Sequence, residues 1–314
     1  MISIIIPIYN VENYIVPCLK SVVAQTYKDF EVVLVDDCGT DKTMEIASEF
    51  IAHCGMAEKF RIVKHEHNKG NSAARNTGIA SAKGKYIYQL DDDDTMTPDC
   101  LEKLVGIAEH TDAEMVVGNF RIEGDATWIP TLKNDGKAVS EDCFHDYLHD
   151  KYQMMVWNKL IRKDFLEKNG FEFKVGLAHE DNAWSFSVAC AIKKVAFVYD
   201  VTYNYVVREG TIHADKNFKK HFDSYVYLIQ YYANEAKKYG KADDQEFRWW
   251  LERQKALFFG ITCNEGTASQ QRAIYHIIRK TLPQGGFDKM HLHYLLPTRL
   301  GLITYKKWHG MFMM

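Results

Sequence analysis

The first third of the chain alternates short apolar runs with helix-spaced runs, and few architectures accept that pattern. Ile2–Pro7, Glu31–Asp36, Arg61–His65, Tyr86–Leu90 and Met115–Gly118 read as strands, mostly apolar throughout. Strands that are apolar on both faces belong inside a parallel sheet covered by helices. Between the first two, Val11, Ile15, Cys18, Leu19, Val22 and Val23 fall at helical spacing, with Pro17 near the first turn, where proline is tolerated. Between the second and third, Ile46, Ala47, Phe50, Ile51 and Cys54 repeat the pattern, and Asp41 or Thr40 is placed to cap that helix. The expectation is an α/β fold: a doubly wound, mostly parallel sheet with helices on both faces. From about 112 to 215 the pattern is mixed, with helices over Asp164–Lys168 and Glu180–Ile192 and a strand over Val195–Tyr199. Long helical patterns follow over Phe218–Tyr239, Gln245–Phe259 and Ser269–Leu282. These divide the chain into 1–214 and a helical C-terminal extension, 215–314.

In doubly wound sheets, ligands sit at the carboxyl ends of the strands. Four such ends are polar here. They are Pro7-Ile8-Tyr9-Asn10, then Asp36-Asp37-Cys38-Gly39-Thr40-Asp41, then Asn68-Lys69-Gly70 running on to Arg75-Asn76, and finally Asp91-Asp92-Asp93-Asp94. Asp and Asn fill turns and cap helices for purely structural reasons, which explains any one of these segments better than all four. The acidic run is the sharpest. At 4 Å each pair of like charges costs on the order of 1 kcal/mol even in bulk water. Alternate carboxylates in a turn can instead converge on one hard divalent cation, Mn²⁺ or Mg²⁺, whose shell phosphate oxygens and water complete. Asp36 or Asp37 can accept from a base or ribose, Arg75 can face a diphosphate, and Gly70 permits close backbone approach. His179-Glu180-Asp181 opens a helix; a carboxylate there serves either as a general base or as an acidic cap on the helix dipole. His145/His149, His65/His67 and His291/His293 lack a third ligand and read as surface histidines.

Hydrophobic residues make up 46% of the 314, enough for a packed core. Residues 215–314 hold 16 Lys and Arg against 9 Asp and Glu, a net of +7, which leaves −10 for the rest of a chain whose total is −3. A basic tail on an acidic body suits an anionic partner. Seven cysteines without a CxxC pair argue for a reducing compartment. The N-terminus reads as a strand rather than a signal peptide, and no run is long enough for a transmembrane helix. An acidic cleft excludes a nucleic-acid binder.

Together these residues resemble a known family. The order Pro7-x-Tyr9-Asn10, Val35-Asp36-Asp37, Asn68-x-Gly70-x-x-x-Ala74-Arg75-Asn76-x-Gly78, Leu90-Asp91-x-Asp93-Asp94 and Glu180-Asp181 is similar to the family 2 glycosyltransferases of the GT-A fold. Trp157-Asn158-Lys159-Leu160 and Tyr203-x-Tyr205, followed by Arg208-Glu209-Gly210-Thr211, resemble its bacterial polysaccharide branch. The likeness covers about 1–214, which makes 1–110 the nucleotide-sugar-binding half and 111–214 the acceptor side. One departure is Cys38-Gly39, where the family commonly has Gly-Ser. A second is Asp92 at the variable position of the DxD motif.

The resemblance implies an inverting transfer from a nucleotide-diphosphate sugar, with a leaning to UDP, onto a glycan or lipid-linked glycan. It implies that Pro7, Tyr9, Asp36 and Asp37 form the nucleoside pocket and that Asn68, Gly70 and Arg75 line the donor site. Asp93 is the implied metal ligand, Asp91 or Asp92 reaches the ribose, and Asp181 is the base. The extension mixes Lys219, Lys220, Arg248, Arg253 and Lys255 with Trp249, Trp250, Tyr231 and Tyr232 and ends in Leu300–Met314, which suits the inner face of the cytoplasmic membrane. Alternatives are a catalytically inactive nucleotide-sugar binding module and a sugar nucleotidyltransferase. The latter wants a Gly-rich basic loop after the first strand, which Pro7-Ile8-Tyr9-Asn10 does not supply.

Overall fold

A computed structural model describes residues 1–124, 131–207 and 218–281. Arg208-Glu209-Gly210-Thr211, His291/His293 and Leu300–Met314 lie outside the described residues. The chain divides into two compact units: Met1–Gly176 with Glu180–Thr211, and Leu177–His179 with Ile212–Met314.

The first unit is built on β1 (Ile2–Ile8), β2 (Phe30–Asp36), β3 (Phe60–Lys64) and β4 (Tyr86–Gln89), which run parallel in the order β3-β2-β1-β4. They are joined by α1 (Ile15–Val23), α2 (Thr43–His53) and α3 (Asn71–Ser81). After β4 come a two-residue strand β5 (Thr95–Met96), α4 (Cys100–Thr111), β6 (Met115–Glu123), a two-residue β7 (Val139–Ser140), α5 (Cys143–Leu148) and β8 (Lys159–Arg162). The unit closes with α6 (Lys163–Asn169), α7 (Glu180–Ala191) and β9 (Val195–Val206). The sheet continues β4-β8-β6-β9-β5, with β7 pairing β9. β8 runs antiparallel between β4 and β6, and β6 and β9 are again parallel, so the sheet is mostly parallel and doubly wound as expected. β6 and β9 outrun their expected ends, because Asn119–Glu123 pairs with Val201–Val206 across an irregularity at Gly118 and Asn119.

One face of the sheet presents Ile2, Ile4, Ile6, Ile8, Val32, Leu34, Tyr88 and Leu160 to α1 and α4 in a single buried cluster. Burying an Ile, Val or Leu side chain stabilises by about 1.5–3 kcal/mol, so this layer anchors the strand ends that follow it. The other face lies against α3. There Gly78 packs so tightly that a Cβ would sit 2.2 Å from Cγ2 of Ile5. At the start of α2 the expected side-chain acceptor is Asp41, whose Oδ1 accepts from the Thr43 N–H at 3.0 Å.

The second unit contains α8 (Phe218–Lys238), α9 (Gln245–Glu265) and α10 (Ala268–Lys280). Asp244 caps α9 through the Phe247 N–H, and Thr267 with Gln270 forms a capping box on α10. Three members of the expected basic and aromatic surface are core residues instead. Tyr232 and Trp250 pack edge to face at 4.8 Å, and Lys255 is buried against Glu252 at 2.6 Å and the Thr281 carbonyl. Trp249, Lys219, Lys220 and Arg253 are exposed. Among the described residues no helix is long and apolar enough to cross a membrane.

Candidate active site

The polar strand ends hold one another in place. After β1, Asn10 takes a positive φ, and its Oδ1 accepts from the Thr40 N–H at 2.7 Å. The Val11 N–H donates to Thr43 Oγ1 at 2.8 Å, and the Glu12 N–H to Asp41 Oδ2 at 3.1 Å. After β2, the departure at Cys38-Gly39 is accommodated because Cys38 itself adopts φ 57°. Its N–H donates to Asp36 Oδ1 at 3.0 Å and its thiol to the His65 carbonyl at 2.8 Å.

Asp36 and Asp37 are both buried. Asp37 pins the loop after β3: Oδ1 accepts from the Lys69 N–H and Oδ2 from the Gly70 N–H, each at 2.8 Å. Gly70 does this at φ 86°, a conformation that suits glycine. His65 bonds Asp37 Oδ1 at 2.6 Å and Thr77 at 2.9 Å. His65 is therefore not the surface histidine expected but a buried brace at 5% exposure. Asn68 stands exposed on the pinned loop, Pro7 is buried in β1, and Tyr9 just beyond it is 45% exposed.

Each anchor of the acidic run comes from a different element. Asp91 accepts from Arg75 Nη2 at 2.6 Å. Asp92 accepts from the Tyr9 backbone N–H at 3.0 Å. Asp94 accepts from the Tyr203 hydroxyl and the Val206 N–H, both at 2.7 Å. Trp157 stacks on Tyr203 and Tyr205, at 4.7 and 5.5 Å between ring centres, and so fixes that hydroxyl. Oxygens of Asp91, Asp93 and Asp94 lie within 4.8 Å of one another. Burial and the charges of Asp91 and Asp93 hold the Asp94 carboxyl well above the usual carboxylate range. Burial, then the charges of all four acids, likewise pushes the buried Cys18 thiol up. An all-oxygen, strongly negative cluster is the donor set that Mg²⁺ or Mn²⁺ prefers. The sequence pointed to Asp93 as the ligand and left Asp94 out, because Asp94's placement depends on β9, more than a hundred residues away.

Arg75 joins this cluster to Asp181. It is 3% exposed on α3, with Nη1 on Gln89 Oε1 at 3.1 Å and Nη2 on Asp91. Burial opposes its charge, and Asp91, Glu180 and Asp181 outweigh that and raise its pKa. One turn earlier, Asn71 donates to Glu180 at 3.1 Å, so a single face of α3 touches both the acidic turn and the start of α7. Asp181 is half-buried. Burial, then Glu180, raises its pKa to about 7, with Arg75 pulling the other way and Asp91 adding to the rise. A carboxyl tuned to neutrality beside such an acidic turn can accept a proton at the pH where it works. Gln89, Tyr203 and Lys159, the last two within motifs already noted, belong to these surroundings, but residue type alone assigned them no task. His145 is half-buried, with Nδ1 on Asp142 at 2.6 Å.

A doubly wound sheet with a DxD turn at the end of its fourth strand defines the GT-A class of glycosyltransferases. The fold is similar to that of Staphylococcus aureus TarS, residues 1–349, solved with UDP. Its TM-score is 0.70 at 18% identity, over 89% of this chain and 79% of that one, a likeness of fold alone. A mannosyltransferase from Pyrobaculum calidifontis, solved with GDP-Man and Mn²⁺, superposes at TM-score 0.55 and 16% identity, over 97% of this chain and 85% of that one. The glycosyltransferase GlyG of Streptococcus pneumoniae is 31% identical over 224 residues, 68% of this chain and 72% of GlyG. Residues 3–172 match the model for glycosyl transferase family 2, and the chain belongs to that family.

Proposed function

We propose that this glycosyltransferase inverts the anomeric centre of a UDP-sugar as it transfers the sugar to an acceptor hydroxyl in cell-surface polysaccharide synthesis. The observation that carries the reading is the Asp91–Arg75–Asp181 arrangement, a diphosphate-and-cation site and a base held by one helix face. Pro7, Tyr9, Asp36 and Asp37 line the nucleoside pocket, with Asp37 also holding the loop that carries Asn68 and Gly70. Asp93, with Asp91 beside it, would hold a Mn²⁺ or Mg²⁺ ion, which when bound supplies positive charge to the departing diphosphate. Asp92 or Asp91 reaches the ribose. Arg75 keeps Asp91 in place and balances the charge of Asp181.

Asp181 takes the acceptor hydroxyl proton as that oxygen bonds the anomeric carbon. The bond from carbon to diphosphate oxygen breaks on the opposite face, and the diphosphate leaves with the electron pair. Residues 1–110 supply the donor side and 111–214 the acceptor side. The extension 215–314 brings the chain to a lipid-linked glycan at the inner membrane face, and its net charge of +7 supports that reading. TarS, solved with UDP and with UDP-GlcNAc, supports the choice of nucleotide.

Screening UDP-, GDP- and TDP-sugars for thermal stabilisation with Mn²⁺ tests this directly, since a bound ligand raises the melting temperature by mass action. A UDP-sugar should stabilise and should lose most of its effect when the metal is chelated. Stabilisation by a GDP- or TDP-sugar alone would overturn the UDP assignment.

A further inference from the structure

A buried lysine faces the base and has no part in the chemistry above. Lys159 opens β8 at 4% exposure. Asn158, immediately before it, is locked at φ 55°. The Asn158 side chain is held on the α1–α4 face of the sheet by the Asn119 carbonyl, Tyr88 and Thr202, at 2.9, 3.2 and 2.9 Å. Leu160, the next residue of β8, packs with Tyr88 in the buried cluster of that same face, so alternation along the strand sends Lys159 to the opposite one. That face carries Ile5, paired in register with Gln89, and is the one α3 covers. Lys159 pairs with Val117 on β6 and lies one step beyond the Tyr88–Leu160 pair on β4, which places it beside Gln89.

The lysine Nζ donates to the Met155 carbonyl, and the Ser185 hydroxyl donates to the adjacent Met154 carbonyl at 2.5 Å. Ser185 is one turn along α7 from Asp181, so the same helix face that grips Met154 presents Asp181 to this lysine. The groups charged or titratable around Asp181 are Glu180 on its own helix, Arg75 on α3, Asp91 on the acidic turn and Lys159 on β8. Arg75 is committed to Asp91 and Gln89, whereas Lys159 bonds a carbonyl and feels the charge of Asp181.

We propose that Lys159 is a positioning residue for the transfer step: its buried ammonium, fixed by the Met155 carbonyl, keeps Asp181 ionised and ready to take the acceptor proton. Two negative neighbours, Glu180 and Asp91, favour protonation of Asp181 and would silence it as a base. A nearby fixed cation opposes them at no cost in access to the acceptor. The coupling is reciprocal. Burial pushes Lys159 down to about 7, against a charge on Asp181 that draws it up, so the same lysine charge must draw Asp181 down. Proton transfer from the hydroxyl to Asp181 leaves the lysine proton where it was, and the acid then returns its proton to water.

This inference rests on Asp181 being the base, and the test separates the two. Aspartate labelled with ¹³C at the carboxyl is titrated by NMR in the full chain, with the Asp181 resonance assigned by its loss in Asp181→Asn. In Lys159→Met the Asp181 midpoint should rise by at least about half a pH unit. Lys159→Gln, which keeps a donor for the Met155 carbonyl but no charge, should give the same rise, and Lys159→Arg should leave the midpoint near wild type. The acidic limb of turnover against pH should move with the midpoint. An unmoved midpoint in both neutral variants overturns the role of Lys159 even if Asp181→Asn is inactive. An active Asp181→Asn overturns the base instead, whatever the midpoints do.

Discussion

Asp181 carries two separable consequences of its surroundings. As a base, its replacement by Asn should lower turnover by about 10²–10⁴ while donor binding stays near wild type, measured by steady-state kinetics and nucleotide titration. As a titrating group it also affects stability. Its pKa is raised to about 7, so between the ordinary carboxylate value near 4 and about 7 the folded protein keeps a proton that the unfolded chain has lost. Stability therefore falls as pH rises through that window. Asp181→Asn, which cannot ionise, should melt progressively later than wild type as the pH rises from about 4 to 7, keep that advantage above about 7 and show none below about pH 4. The carboxylates themselves were legible from residue type, because buried apolar strands delivered them to one edge. His65 was not, since a histidine beside a strand end looks the same in sequence whether it is solvated or, as here, bonded to Asp37 and Thr77.

At the scale of elements, α3 does the most. It starts just after Gly70, and one face, spaced i, i+4, i+7, reaches Glu180 through Asn71 and Asp91 through Arg75 and presses Gly78 against β1. Gly78→Ala should shift β1 or α3 and cost about 1–3 kcal/mol, read as a lower urea midpoint at unchanged slope. An unchanged midpoint would mean that α3 has room to move, contrary to the 2.2 Å approach. The four parallel strands and their helices announced themselves by period and composition. β8 did not: four residues are too few for periodicity, its first is a lysine, and a buried lysine reads as an exposed one. β5 and β7, two residues each, offer even less. The stretch of β6 past Gly118 pairs with residues some 80 positions away, and no local pattern encodes that partner.

For the whole molecule, the division between an acidic body and a basic extension sets two expectations. Asp93→Ala should lose the metal-dependent part of donor stabilisation while keeping its own fold; a wild-type titration with UDP and Mn²⁺ would remove Asp93 from the metal site. The full chain should float with anionic liposomes while a chain ending near 215 stays behind, and the difference should shrink at high salt. Equal flotation of the two would remove the membrane reading. Trp249, Lys219, Lys220 and Arg253 remain for that contact, and Tyr232, Trp250 and Lys255 do not, being spent on packing. The acidic turn has the reverse character of a portable cassette. Its carboxylates are moored to the segment after β1, to α3 and to β9, so cutting it out and grafting it into another scaffold would deliver four aspartates without the shape that makes them useful. Attempts to re-engineer sugar preference should therefore leave that turn alone and vary residues that moor nothing.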